Sequence, residues 1–201
     1  AKGGELDEGT INNLEGMISK WVSIPYGIIV VLIAGTSLNL ADYFLKIKDL
    51  GFSPTDEWFI KWGVIFGYYG GVLVGPFVDL VGTTVAFPIA AIFSGGGFVG
   101  LAYMSEGGKA ETFGTIVIVA LVIFVSFSSA IAAITSISTI IINFSKNVGP
   151  MIAAVMMTYY FIAPWFDITV RKGYFDDVSL KTNMIAMGVI QFVVFLLAAI
   201  V

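Results

Sequence analysis

From residue 112 to residue 142 the chain runs without one charged side chain and without a proline. That is longer than the roughly 20 residues a helix needs to cross about 30 Å of hydrocarbon. Such a stretch selects its own solvent. In lipid, every backbone N–H and C=O must find its partner within the protein, which leaves helices and closed strand barrels. A barrel strand alternates apolar and polar residues with period two, and "IVIVALVIFV" shows no such alternation. Helix is the remaining solution.

Five further windows are long and apolar enough to cross a bilayer, at about 21–43, 57–81, 83–104, 149–170 and 183–201. The expected fold class is therefore an all-α integral membrane protein with six transmembrane helices in one domain, 20–201, preceded by a polar segment, 1–19. Short turn-like joints separate the windows: "KIKDLGFSPTDE", "LVGT", "SEGGKAE", "NFSKN" and "RKGYFDDVSLKT". Composition agrees, since 58% of residues are hydrophobic and 12% charged, against about 25% charged in soluble domains. A multi-pass membrane location follows, with plasma and organelle membranes both open. The acidic, arginine-free segment 1–19 does not suit a signal or transit peptide. The chain starts at Ala1, and its last window reaches Val201 with no polar flank, so a removed leader or a fragment, and a continuation past Val201, are expected.

The chain has no cysteine and no histidine. Disulfides, thiolate or imidazole metal sites and haem ligation have no residues to build on. No base–nucleophile pair or phosphate-cradling loop stands out either, so no enzyme activity, metal or cofactor is expected. Arg171 is the single arginine, and without a basic cluster nucleic acid is not an expected partner.

The most ordered pattern lies in the second window. Gly63, Gly67, Gly71 and Gly75 recur every fourth residue, and the next step lands on Asp79. Residues four apart form one ridge on a helix, so these glycines predict a groove that admits a neighbouring backbone closely. Gly95, Gly96, Gly97 and Gly100 predict a second close approach. Pro76, Pro88 and Pro164 each remove a helix hydrogen bond and can kink a span. The long fourth window changes character midway, where Ser126, Ser128, Ser129, Thr135, Ser136, Ser138 and Thr139 appear. Hydroxyls there serve either tight helix packing or the lining of a polar cavity. Asp42 and Asp167 fall near span ends, where interfacial water is expected to solvate them.

"GPFVDLVGTTVAF" carries the frame G-x-x-x-D-x-x-G at Gly75, Asp79 and Gly82, between the second and third windows. This resembles the signature loop of the major facilitator superfamily. "AGTSLNLADYF", "LGFSPTDEWFIKWG" and "TSISTIIINFSKNVGPMIAAV" are similar to its nodulin-like branch, near the oxalate/formate and monocarboxylate exchangers. The resemblance covers nearly all of 20–201 and implies the amino-terminal six-helix half of a major-facilitator-type bundle. In that family the first, second, fourth and fifth helices line the central cavity, which implies cavity roles for Asn39, Tyr68, Ser129, Thr135 and Tyr159. The family follows its loop aspartate with basic residues that latch the two halves together. Leu80, Thr83 and Thr84 stand in those places here. Asp79 without them either ends its helix in water or caps the next helix. The family topology puts Lys2, Lys20 and Lys146 in the cytoplasm, whereas the distribution of Lys46, Lys48, Lys109, Arg171, Lys172 and Lys181 predicts the opposite orientation.

The resemblance implies a secondary transporter that moves a small polar solute or organic anion by alternating access. Its partners would be the lipid bilayer, the small-molecule substrate and a second six-helix half, supplied by a continuation of the chain or by another subunit. The alternative is a transporter-derived structural subunit of a larger membrane complex that no longer transports. No basic residue falls at mid-membrane, where an anion would want one.

Overall fold

In a computed structural model of the chain, residues 8–40, 52–105, 112–144, 148–174 and 178–200 are described. Asp42, Lys2, Lys46, Lys48, Lys109 and Lys146 lie outside them, as do residues 1–7 of the polar segment. Every element among the described residues is helical. Six helical stretches are long and apolar enough to cross a membrane: Trp21–Asn39, Pro54–Val81, Thr83–Met104, Gly114–Asn143, Val148–Val170 and Leu180–Ala198. These are the first to sixth spans. Hydropathy located all six within a few residues. One helix runs unbroken over Glu8–Gly35, from within the polar segment into the first span.

Local chemistry sets the span ends. At Ser53–Asp56 the Asp56 amide donates to Ser53 Oγ at 3.2 Å, and the Ser53 amide donates to Asp56 Oδ2 at 2.9 Å. This reciprocal cap, with Pro54 at the first helical position, satisfies amides that have no helical partner. At the sixth span the Thr182 amide donates to Ser179 Oγ. Between the second and third spans a single residue makes the joint. Gly82 ends one helix and starts the next with φ +80° and ψ 161°, a region open essentially to glycine alone. Gly82 is therefore a backbone requirement of the tight turn. It is also the residue that starts the third helix, with no side-chain cap, so Asp79 does not cap that helix.

The fourth span is the central post. The second span packs on it along the glycine ridge: a Cβ at Gly63 would meet Val119 at 3.3 Å, one at Gly67 would meet Ser126 at 2.5 Å, and one at Gly71 would meet Ala130 at 3.2 Å. The ridge ends there, because nothing lies within 4 Å of a Cβ at Gly75. The cause is a 3₁₀ turn over Gly70–Leu73. Four residues of 3₁₀ helix turn about 80° further than four of α-helix, which rotates Gly75 off the groove. On another side of the post, Gly97 and Gly100 of the third span face Val125 and Leu121. The hydroxyls of the post bond back to its own carbonyls: Ser128 and Ser129 to Val125, Thr135 to Ile131 and Ser136 to Ala132. For these residues small size at a crowded interface is the use the sequence makes of them.

The principal pairings of non-consecutive spans are first with fourth, fifth and sixth, second with fourth, and third with sixth, and the third span also packs on the fourth that follows it.

Candidate functional site

Among the described residues the first span passes into a 3₁₀ turn at Thr36–Asn39, and the second and fifth spans each change helix type midway and resume. The second span changes from α-helix to the 3₁₀ turn Gly70–Leu73 and resumes at Val74. The fifth span changes from α-helix to a π turn at Thr158–Ile162 and resumes at Ala163. Each has a proline just downstream. Pro76 has no N–H for the Val72 carbonyl and Pro164 none for that of Tyr160, so the preceding turn is freed to tighten or widen. Each interruption also carries a tyrosine pair, Tyr68–Tyr69 and Tyr159–Tyr160. One ring of each pair turns inward and the other stays exposed, with Tyr159 only 3% accessible and Tyr69 71%.

The inward rings meet. Tyr68 and Tyr159 stand edge to face with centroids 6.2 Å apart, and Tyr160 stacks edge-on against Tyr159 at 4.9 Å. Beside them a cavity of about 300 Å³ opens between the second, fourth and fifth spans. Its walls are Tyr68, Gly71 and Val72 on one side, Ala130, Ala133, Ile134 and Ile137 on the post, and Met156, Tyr159 and Tyr160 opposite. No charged side chain lines it. The Tyr68 and Tyr159 hydroxyls are sealed from solvent and lack a well-formed hydrogen bond, although they lie near each other and near Ser129. Buried hydroxyls without partners are uncommon in proteins, and Thr115 and Ser126 carry two more here, away from the cavity walls.

The five residues implied as cavity-lining separate into two groups. Tyr68 and Tyr159 come together at the cavity, with the Ser129 hydroxyl close to Tyr68. Thr135 faces into the post and does not reach the cavity walls. Asn39 instead ties the first span to the fifth, where its amide donates to the Pro164 carbonyl at 2.9 Å and to Asp167 Oδ2 at 3.0 Å. Asp167 is 4% accessible, so interfacial water does not solvate it as its position near a span end suggested. Asn39 meets it from across the bundle, a contact that sequence distance conceals.

A second polar cluster, centred on Gln191 of the sixth span, escaped sequence reasoning as a cluster. Gln191 is fully buried and joins three spans. Its amide nitrogen reaches the Ile33 carbonyl at 3.1 Å, Ser37 Oγ at 2.9 Å and Thr36 Oγ1 at 3.3 Å, while its carbonyl accepts from Ser94 of the third span. A lone glutamine in an apolar span is the signal for such a hub, because lipid offers it no partner.

The signature frame lies away from the cavity. Asp79 and Leu80 are exposed at the end of the second span, next to Gly82. Among the described residues no group of three or more acids, histidines or cysteines is placed to hold a metal ion. Compared with family models, with curated proteins and with solved structures, the chain finds no match in any of the three.

Proposed function

We propose that the chain is one six-helix half of a secondary transporter of the major facilitator type, moving a small polar solute or organic anion by alternating access. The observation that carries this reading is the pair of interrupted spans. In membrane transporters built from repeats, broken helices at corresponding positions of the repeats mark the solute site. Here the second and fifth spans, the middle ones of the first three and of the last three, each break and resume, and residues at both breaks line one cavity. Breaks in span helices expose backbone groups that lipid cannot satisfy, so they are retained where they border a cavity.

The cavity walls include exposed Val72 and Tyr160, so it opens on an outer face of the bundle. A second six-helix half seated on that face would close the cavity from one side and, by rocking, open it to the other. Reconstituting the chain, with any natural continuation, in liposomes and measuring uptake of a metabolite panel with and without a proton gradient tests the reading. Gradient-dependent flux supports it, and no flux from folded protein overturns it.

One observation favours the alternative of a transporter-derived structural subunit in a larger membrane complex. Asp79 keeps the place of the family's loop aspartate but is exposed, with Leu80, Thr83 and Thr84 where the latch cations belong. Co-purification in fixed stoichiometry with other membrane subunits, without flux, would select it.

A further inference from the structure

A groove of about 410 Å³ runs between the third and sixth spans, apart from the cavity of the second, fourth and fifth. We infer that it holds one chain of an anionic glycerophospholipid, whose phosphate is received by Lys181 at the rim. Glycines set the floor of the groove. A Cβ at Gly95 would meet Phe192 at 3.1 Å and one at Gly188 would meet Phe98 at 2.8 Å, so these two let the spans approach. Nothing lies within 4 Å of a Cβ at Gly96, which leaves a notch open. Ile92, Val99 and Phe192 wall it, and all three are exposed on the outside of the bundle. No charged or hydroxyl side chain lines it. At this depth it accepts hydrocarbon and nothing polar.

The rim decides which hydrocarbon. Tyr103 follows Val99 by four residues and Ile92 by eleven, while Lys181 precedes Gly188 by seven and Phe192 by eleven. At about 100° per residue these spacings stay within about 40° of one line on each helix. Tyr103 and Lys181 therefore stand in line with the groove, and there they meet, with Lys181 Nζ 5.0 Å from the centroid of the Tyr103 ring. At about 1.5 Å per residue the groove lies about 6–16 Å below that pair. This is the depth of the acyl chains of one leaflet, since half the hydrocarbon core is about 15 Å thick. A cation above an apolar slot is the complement of a lipid phosphate above its chain. An ammonium carries three N–H donors, and a phosphate takes charge-assisted bonds from it. A choline headgroup gains less, because its own cation meets Lys181 and the Tyr103 ring already holds one. A second copy seated by the same face, about an axis along the membrane normal, would bring its own Lys181 to the same rim, like charge against like.

The test is native mass spectrometry of the detergent-solubilised chain titrated with dioleoyl phosphatidylglycerol or dioleoyl phosphatidylcholine, which share their chains and differ in headgroup. The first phosphatidylglycerol is expected to bind at least about tenfold more tightly than phosphatidylcholine, the effect of one charge-assisted contact. Lys181→Gln is expected to bring the two lipids within about threefold of each other, and Lys181→Arg to keep the preference. Lys61→Gln, at an exposed cation of the second span, is expected to leave it unchanged. Gly96→Leu, whose Cβ meets nothing, is expected to fill the notch and weaken both lipids at least about tenfold with Lys181 intact. Equal binding of the first molecule of either lipid overturns the inference. So does a preference that survives Lys181→Gln, or tight binding that survives Gly96→Leu. A dimer that Gly96→Leu abolishes and phosphatidylglycerol does not displace overturns it too, and gives the groove to a second copy.

Discussion

Two buried polar clusters sit in this apolar bundle, and they are opposites. Around Gln191 every hydrogen-bonding atom of the amide is used, by Ile33, Thr36 and Ser37 of the first span and Ser94 of the third. Around Tyr68 and Tyr159 two hydroxyls are buried without a well-formed hydrogen bond. Lipid punishes both choices equally if they go unsatisfied, so the difference lies in what each adjoins. The glutamine hub pins the first, third and sixth spans in one register. The tyrosine pair sits where two helices are interrupted and a cavity opens beside the rings.

Mutation can break that contrast. Gln191→Ala is expected to have the largest effect, a loss of about 2–4 kcal/mol of folding stability, because it strands Ser37 and Ser94 as well as opening a cavity. Reversible unfolding in mixed micelles measures it, and a loss below half a kcal/mol would dissolve the distinction between hub and site. Gly67→Ala should come next, at about 1–3 kcal/mol by overpacking, since its Cβ would meet the Ser126 Cβ at 2.5 Å and the Ile123 carbonyl at 2.8 Å. That result would show that the second span is tightly seated one helix turn before its break. Gly82→Ala is expected to cost about 1–3 kcal/mol through backbone strain alone, read in the same unfolding measurement. Tyr159→Phe should move stability the other way, by up to about 1 kcal/mol, because it removes a hydroxyl that lacks a well-formed hydrogen bond. A destabilised Tyr159→Phe protein would mean that the hydroxyl is engaged after all. Gly75→Ala should change stability least, within about 0.5 kcal/mol or slightly upward, since nothing lies within 4 Å of the added carbon.

Much of the architecture was legible. Hydropathy located six spans because a bilayer demands roughly 20 apolar residues per crossing and leaves little room for exceptions. The four-residue glycine spacing correctly announced a close helix approach at Gly63, Gly67 and Gly71, though not its end. The Ser53–Asp56 cap falls in a joint read only as turn-like, and the second span starts at Pro54, three residues before the apolar window. The interruptions left a trace too: "YYGGVLVGP" and "TYYFIAP" both pair tyrosines with a downstream proline. Asn39 was misleading, since its partners Pro164 and Asp167 are more than a hundred residues away, and a polar residue at depth gives no hint of whether a neighbour or a cavity receives it.

By itself, then, the sequence determined that this chain lives in lipid as six helices and where its backbones can touch, because those properties depend on local composition and helical periodicity. Only tertiary structure decided that the fourth span is the post and that Gly75 escapes the groove. It alone decided that Gln191 is saturated while Tyr68 and Tyr159 are not. Whether a buried polar atom is satisfied depends on which atoms other spans bring within 3 Å or so of it, and that is a property of the packed bundle.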